Sequence, residues 1–409
     1  MKIFVCNSGS SSLKFSLFDS VSEQSLAEGE IDWTTTPTQL VWHCRGQKVI
    51  RENLRPTQHA EAAAHILDDL QNHPSAPLRG LDEIGAVGHR VVHGGDRYTK
   101  AVVITPEVKR VIGELSELAP LHNPAALEGI TAMEQMLPNT PQVAVFDTAF
   151  HSTLSQAART YPLPYHWTNE WGIRRYGFHG LSHSYCSRQA AKVLGRPDLR
   201  LVIAHLGNGA SLTAVLNGAS VDTSMGFTPM DGIMMGTRCG SLDPGILIYV
   251  AEYKGLNGRQ MDDALDDHAG LLGVSGISSD MREVLAASAE NPDAQLAIDV
   301  YVHRIRQTIG SMAASLGGID AMVFTAGVGE NSPAIRRRVC ENMEFLGLEL
   351  DQEANESCRP DADIASPTSP ARILVIGTHE DLTIVRETHR LLSSTLDQSL
   401  QSECVQVFS

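Results

Sequence analysis

The sequence predicts an α/β protein of two domains in which one structural unit occurs twice. Three observations carry that reading. The chain has 409 residues, more than one ordinary hydrophobic core holds. Short apolar strands alternate along it with helical patterns. Finally, "VCNSGSSSLKFSLFD" (5–19) and "LVIAHLGNGASLTAVLNG" (201–218) share one layout: apolar strand, Gly/Asn/Ser turn, Ser-Leu, apolar strand. Ser12-Leu13 aligns with Ser211-Leu212, 199 residues further on, so each half begins with a glycine-bent hairpin.

The elements follow in order. After the first hairpin, "EIGAVGHRVVHGG" contains a strand leading to Arg90 and His93. "APLHNPAALEGITAMEQML" predicts a helix capped by Asn123, with Pro124 in its first turn and Leu127, Ile130, Met133 and Leu137 along one face. "QVAVFDTAFH" is a buried-type strand ending at Asp147, and a second helix runs through "LSHSYCSRQAAKVLG" to a stop at Gly195. In the second half a long helix from Ala297 to Leu316 stops at Gly317-Gly318. There follow the strand "AMVFTAG", the loop "GVGENS" and a helix capped by Ser332 with Pro333 in its first turn. "DQEANESCRPDADIASPTSP" reads as a polar surface loop before the last strand and turn, "ARILVIGTHEDL". The tail from Ser393 is weakly patterned.

Composition narrows the function. A formal charge of −16, from 32 basic and 48 acidic residues, repels nucleic acid and anionic lipid, so an anionic ligand needs a locally basic cleft. No apolar run approaches the ~20 residues of a membrane span, and polar residues follow "MKIFVC" at once, so neither a membrane segment nor a signal peptide is expected. The seven scattered cysteines suit reduced thiols and a cytoplasmic location better than a disulfide framework. "HGLSH" places His179 and His183 four apart, but without a third evident ligand it does not make a zinc site.

The small-residue turn Asn7 to Ser12 has two readings. It is a tight hairpin turn, or a turn bare enough for phosphate oxygens to approach backbone N–H groups. GxGxxG and GxxxxGK[ST] are both absent. Recurrence favours the phosphate reading: "NSGSSS", "HLGNGAS" and "TAGVGENS" are three strand-to-glycine turns, and the third leads directly into a helix N-terminus. Two duplicated hairpins and a third loop would grip a nucleotide between two domains.

Read together, "NSGSSSLK", "GHRVVHGG", "APLHNPA", "VFDTAFH", "RRYGFHGLSH", "HLGNGAS", "GFTPMDGIMMGTRCGSLDPG", "GVGENS" and "GTHEDL" resemble the acetokinase family, the acetate and propionate kinases, from residue 3 to about residue 385. The resemblance implies the duplicated two-domain architecture shared by actin, sugar kinases and Hsp70, with the active site in the interdomain cleft. Domain one is 1–148 with 383–409 returning to it, and domain two is 149–382. The implied reaction is reversible phosphoryl transfer between ATP and acetate, giving ADP and acetyl phosphate, with Mg²⁺ or Mn²⁺, in a cytoplasmic homodimer.

By motif, Asn7 and Glu380 fall near the metal and Lys14 near the nucleotide phosphates. Arg90 and Arg238 fall at the substrate and phosphoryl group, with His179 beside them, and Asp147 matches a catalytic carboxylate. His122 joins the catalytic set, and Val92 fits the acyl pocket beside Arg90. The segments His205, Leu206, Gly207, Asn208, Gly209; Asp280, Met281, Arg282; and Gly327, Val328, Gly329, Glu330, Asn331 match nucleotide-binding stretches.

The chemistry asks for these residue types. Two anions meet in this reaction, so fixed cations and donors are required, and an arginine fork binds carboxylate and phosphate alike. His122 and His179 each precede a predicted helix start, where a neutral imidazole N–H suits an anion. Acetate carries no proton to remove at neutral pH, so Asp147 is expected to orient Arg238 or a metal-bound water rather than act as a base. The chain departs from the family pattern at His379, Cys239 and Ser241. A sugar or glycerol kinase would instead need a carboxylate base at a neutral hydroxyl, and an actin-like switch would hydrolyse ATP without an acceptor.

Overall fold

A computed structural model describes residues 1–34, 38–44, 46–52, 54 and 58–407, with side chains to residue 394. The chain divides into two compact units, Met1–Ala149 with His379–Ser409, and Phe150–Thr378. Ala149 and residues 379–382, expected in the second domain, belong to the first unit, where Glu380 and Asp381 find their partners in Arg90 and Ser16.

The first unit is built on an eight-stranded sheet. Its strands are β1 (Lys2–Ser8), β2 (Ser12–Asp19), β3 (Ser25–Asp32), β4 (Gln39–Cys44), β5 (Gln47–Arg51), β6 (Ile84–Val91), β7 (Val102–Val103) and β8 (Gln142–Phe146), in the order β5-β4-β3-β2-β1-β6-β8-β7. The β1–β2 hairpin is antiparallel, pairing Asn7 with Lys14, while β1, β6 and β8 run parallel. The parallel strands read as apolar runs because the sheet is covered: α3 (Asn123–Met136) packs on β1 and β6 and against α1 (His59–Asn72) and α2 (Pro106–Glu114), and the C-terminal helix, Glu380–Val407, also packs on β1 and β6. Gly88 of β6 is there because a Cβ would stand 2.6 Å from Ile384 of that helix.

The second unit repeats the plan. Its strands are β9 (Arg200–Leu206), β10 (Ala210–Leu216), β11 (Ala219–Thr223), β12 (Ala321–Thr325), β13 (Ala362–Asp363) and β14 (Arg372–Val375), in the order β11-β10-β9-β12-β14-β13. The run β3-β2-β1-β6-β8 thus recurs as β11-β10-β9-β12-β14, with the same antiparallel hairpins and the same parallel centre. The duplication inferred from Ser12-Leu13 and Ser211-Leu212 is a duplication of topology.

Local differences have physical causes. Asn123 opens α3 but does not cap it. Its amide is buried, accepting from the N–H of His93 and donating to the carbonyls of His93 and Ile112, and His122 takes the cap position. "GVGENS" is a short helix, Ala326–Asn331, rather than a loop: the Glu330 carboxylate accepts the N–H of Ala326 at 2.9 Å and so closes the turn. The polar stretch from Gln352 contains the helix Gln352–Ser357 and the short strand β13, because Asp351 caps the helix and the buried Asn355 is caught by Arg336. The weakly patterned tail continues the C-terminal helix to Val407. Cys404 lies outside the residues whose side chains are described.

Candidate active site

In the first unit the functional side chains stand at the carboxyl ends of parallel strands, where an open α/β sheet leaves a crevice. Arg90 is the penultimate residue of β6, and Asp147 follows β8 directly, with its N–H bonded to the carbonyl of Val91 at 3.0 Å. The parallel register therefore sets the two side by side. Arg90 Nη2 donates to Asp147 Oδ2 at 2.7 Å, and Nε spans both carboxylate oxygens at 3.2 and 3.3 Å. Glu380 Oε2 stands 3.4 Å from Nη1. Asp147 was expected to orient Arg238 or a metal-bound water; its fork is made to Arg90.

Burial works against the Arg90 charge, but Asp147 and Glu380 outweigh it and hold the guanidinium firmly protonated. Burial pushes the Asp147 carboxyl up, with Arg90 pulling it back down. Asp381 accepts from the Ser16 hydroxyl at 2.7 Å and is likewise raised by burial. One guanidinium thus faces three carboxylates, Asp147, Glu380 and Asp381, and the surplus is negative. Among the described residues no cluster of three or more His, Cys, Asp or Glu forms a cage for a metal. Glu380 and Asn7 offer hard oxygen donors of the kind that would suit a divalent cation.

Val92 is half-buried just past the end of β6, and His122 precedes α3. Lys14 does not join this group. It sits on β2 opposite Glu30 of β3, largely exposed, with its ammonium 3.5 Å from that carboxylate.

The second unit gathers His179, Arg238 and the β9–β10 turn. His179 stands in the left-handed region (φ 56°) at the start of α4 (Gly180–Leu194), which stops at Gly195 as expected. The Ser211 hydroxyl lies 3.0 Å from His179 Nδ1 and 2.8 Å from His183 Nε2, so one serine orients both rings. His183 is fully buried and its pKa is driven well down, by burial first and then by His151 and His205. The His205 ring stacks on His179 with centroids 4.2 Å apart. A Cβ on Gly209 would stand 3.4 Å from His179 Nε2 and 3.6 Å from Arg238 Nη1, so the bare turn lets both groups flank it. Arg238 itself is held by Asp266, Nε to Oδ1 at 2.7 Å. Ser241, one of the departures, bonds Asp231 rather than Arg238, and the Cys239 thiol donates to the carbonyl of Gly240.

A cavity of about 670 Å³ in this unit fits a nucleoside. Gly207, Asn208, Asp280, Met281, Arg282, Gly327, Val328 and Asn331, all from the segments singled out in the sequence, line it, with Leu271 and Leu285 adding apolar wall. Asp280 caps α5 (Met281–Ala287) and pairs with Arg282, whose hydrogen bonds hold the carboxyl down to about 2. The remaining members of those segments do not line it. Leu206 is wholly buried in the core, His205 turns to Ser182 and His179, Gly329 packs under Phe324, and Glu330 is spent on the N–H groups of Ala326 and Thr378. Arg336, absent from the sequence reading, is fully buried and bonds the carbonyls of Gly329, Glu330 and Asn355. Its only signal in the sequence is a basic residue on the buried face of a helix.

A model of the acetokinase family matches residues 2–386. The chain belongs to the acetokinase family. A protein named acetate kinase in Microcystis aeruginosa is 50% identical to it over 400 residues, 96% of this chain and 100% of that one. Another of that name, in Trichormus variabilis, is 48% identical over 405 residues, again 96% and 100%. Among solved structures, Porphyromonas gingivalis acetate kinase superposes with a TM-score of 0.90 at 42% identity, covering 96% of this chain and 99% of its own. A propionate kinase from Francisella tularensis gives 0.88 at 40%, covering 94% and 98%. The duplicated α/β architecture expected from the resemblance is the one this family member has.

Proposed function

We propose that this acetokinase-family chain catalyses reversible phosphoryl transfer between ATP and acetate. One carboxylate oxygen of acetate bonds to the γ-phosphorus as the bond to the β-phosphate oxygen breaks, giving acetyl phosphate and ADP. The carrying observation is the chain-length likeness to proteins named acetate kinase, with Arg90, Asp147, His179, Arg238 and Glu380 all present and positioned by their own units.

Each residue's role follows from its surroundings. Arg90, aimed by Asp147 and Glu380, receives the acetate carboxylate, and Val92 meets its methyl group. Arg238, aimed by Asp266, and His179, aimed by Ser211, donate to the transferring phosphoryl oxygens, whose charge grows between the two acids. His122 supports the same charge from the start of α3. The cavity at Gly207, Asp280 and Gly327 takes the nucleoside. Asn7 and Glu380 would hold the metal, with Mg²⁺ the natural occupant and Mn²⁺ an alternative. When bound, it neutralises phosphate charge and polarises the group in flight.

The same reading includes a cytoplasmic homodimer. No helix among the described residues is long and apolar enough to cross a membrane. The helix Pro244–Lys254 buries none of its residues and exposes Ile246, Ile248, Tyr249 and Tyr253, a face that a second copy would cover.

Propionate kinase activity is the second reading, favoured by the likeness to the Francisella tularensis structure. One methylene against Val92 is worth about 1–3 kcal/mol of discrimination. The test is kcat/KM for acetate, propionate and butyrate. Acetate leads if the proposal holds, and propionate in front replaces it with the second reading.

A further inference from the structure

The turn between β1 and β2 is held by three hydrogen bonds, two of them from donors outside the hairpin, and one of those donors has no role in the reaction as described. Gly9 N–H closes the turn on the carbonyl of Ser12 at 2.8 Å, and the N–H of Trp33 takes the carbonyl of Ser11 at 3.1 Å. The third tie is a side chain. His59, the first residue of α1 and 3% exposed, places Nε2 2.8 Å from the carbonyl oxygen of Gly9 and Nδ1 2.7 Å from Oε2 of Glu128 on α3. The Gly9 carbonyl can only accept, so Nε2 is the donor of that contact. The Trp33 ring meets it edge-on, with centroids 5.2 Å apart, and keeps it upright. α3 is pressed against the same hairpin: a Cβ on Gly129, next to Glu128, would fall 1.9 Å from Ser8 Oγ.

These contacts fix a direction. In a trans peptide the carbonyl and the following N–H point opposite ways. Holding the Gly9 carbonyl toward His59 therefore turns the Ser10 N–H away from α1. A turn of small residues serves a phosphate only if its N–H groups are aimed before the ligand arrives; otherwise binding must order them.

We infer that His59, oriented by Glu128, is a positioning residue that aims the Ser10 amide of the Asn7–Ser12 turn at a phosphate oxygen of the nucleotide. The inference rests on the reading of that turn, from its small residues and their recurrence along the chain, as a phosphate binder. His59 touches no reacting atom and acts through the Gly9 carbonyl.

Two variants separate the halves of the contact. His59→Gln sets an amide nitrogen where Nε2 stood and keeps the donor to Gly9. His59→Asn sets one where Nδ1 stood and keeps only Glu128. The readouts are KM for ATP with magnesium, kcat, melting temperature, and hydrogen exchange of the peptide covering residues 5–17 in the ligand-free protein. The inference predicts that His59→Asn raises KM for ATP about tenfold and speeds exchange of that peptide about tenfold. His59→Gln stays within about threefold of the parent on both. His59→Asn matching the parent on both readouts overturns the inference. So does His59→Gln as impaired as His59→Asn with the same loss of melting temperature, since that marks a merely structural residue. If the parent forms no acyl phosphate, the proposed function fails on its own, while the exchange contrast still tests the tie to Gly9.

Discussion

Asp147 grips Arg90 along one edge of its guanidinium, Nη2 to Oδ2 at 2.7 Å, while Glu380 stands at the opposite nitrogen, 3.4 Å away. The arginine is thus aimed by two carboxylates that come from distant parts of the chain. Asp147→Asn removes the charge from the closer contact and leaves Glu380 to draw the side chain aside. The expected result is a fall in kcat of about a hundredfold with the fold retained, as when a preorganised contact of an active site is lost. Steady-state rates with saturating acetate and ATP check it, and an unchanged kcat takes Asp147 out of the mechanism.

Arg238 depends on Asp266 as Arg90 depends on Asp147, through a single contact at 2.7 Å. In Asp266→Ala the guanidinium remains but its direction is lost. A misplacement of about 1 Å at a reacting centre costs on the order of 10²-fold, so kcat/KM should drop by about that factor. Replacing the exposed neighbour, Asp267→Ala, should leave it unchanged. Equal rates for both variants would show that Arg238 needs no support.

Arg336 has no access to solvent, and its donors reach the carbonyls of Gly329, Glu330 and Asn355. Arg336→Met fills much of the volume but strands those acceptors in a dry interior. Breaking such a buried network costs about 3–5 kcal/mol, and the short helix Ala326–Asn331, which borders the cavity, loosens with it. Thermal melting and ADP titration should show a lowered transition and weaker binding. A melting temperature within a couple of degrees of the parent would contradict this.

Buried neutral histidines set the acid limit of stability. Burial lowers His89 and His151 from 6.5 to about 4 in the folded protein. The unfolded chain takes up these protons near 6.5, while the folded chain refuses them until about 4. Their contribution is therefore whole above pH 6.5 and is lost as pH falls toward 4, about 2 kcal/mol per histidine by pH 5. Calorimetric melts should shift down by several degrees between pH 7.5 and pH 5. His151→Gln, with no proton to gain, should flatten that dependence, and a flat profile for the parent would refute the assignment.

Much of this was readable in the sequence because it is local. The repeated hairpins, the strand ends carrying Arg90 and Asp147, and the glycine turn that flanks His179 and Arg238 each announce themselves within about ten residues. The supports do not. Asp266 lies 28 residues from Arg238, Arg336 contacts Asn355 19 residues on, and His59 meets Gly9 across 50. Nothing in "QHAEAAA" marks its histidine, since an amphipathic helix start looks the same whether or not its first side chain is held. Motif position does not reveal burial: Leu206 and Gly329 share a stretch with cavity residues, but Leu206 lies wholly in the core and Gly329 packs under Phe324. Asn123 shows the converse, a residue typical of caps recruited by the buried backbone of His93.

The most direct test of the whole account is hydroxylamine trapping of the product. The purified protein, given ATP, Mg²⁺ and acetate together with hydroxylamine, should yield acetohydroxamate and an equal amount of ADP, and neither when acetate is left out. ADP released at the same rate without acetate, or turnover confined to an alcohol such as glycerol, would contradict it.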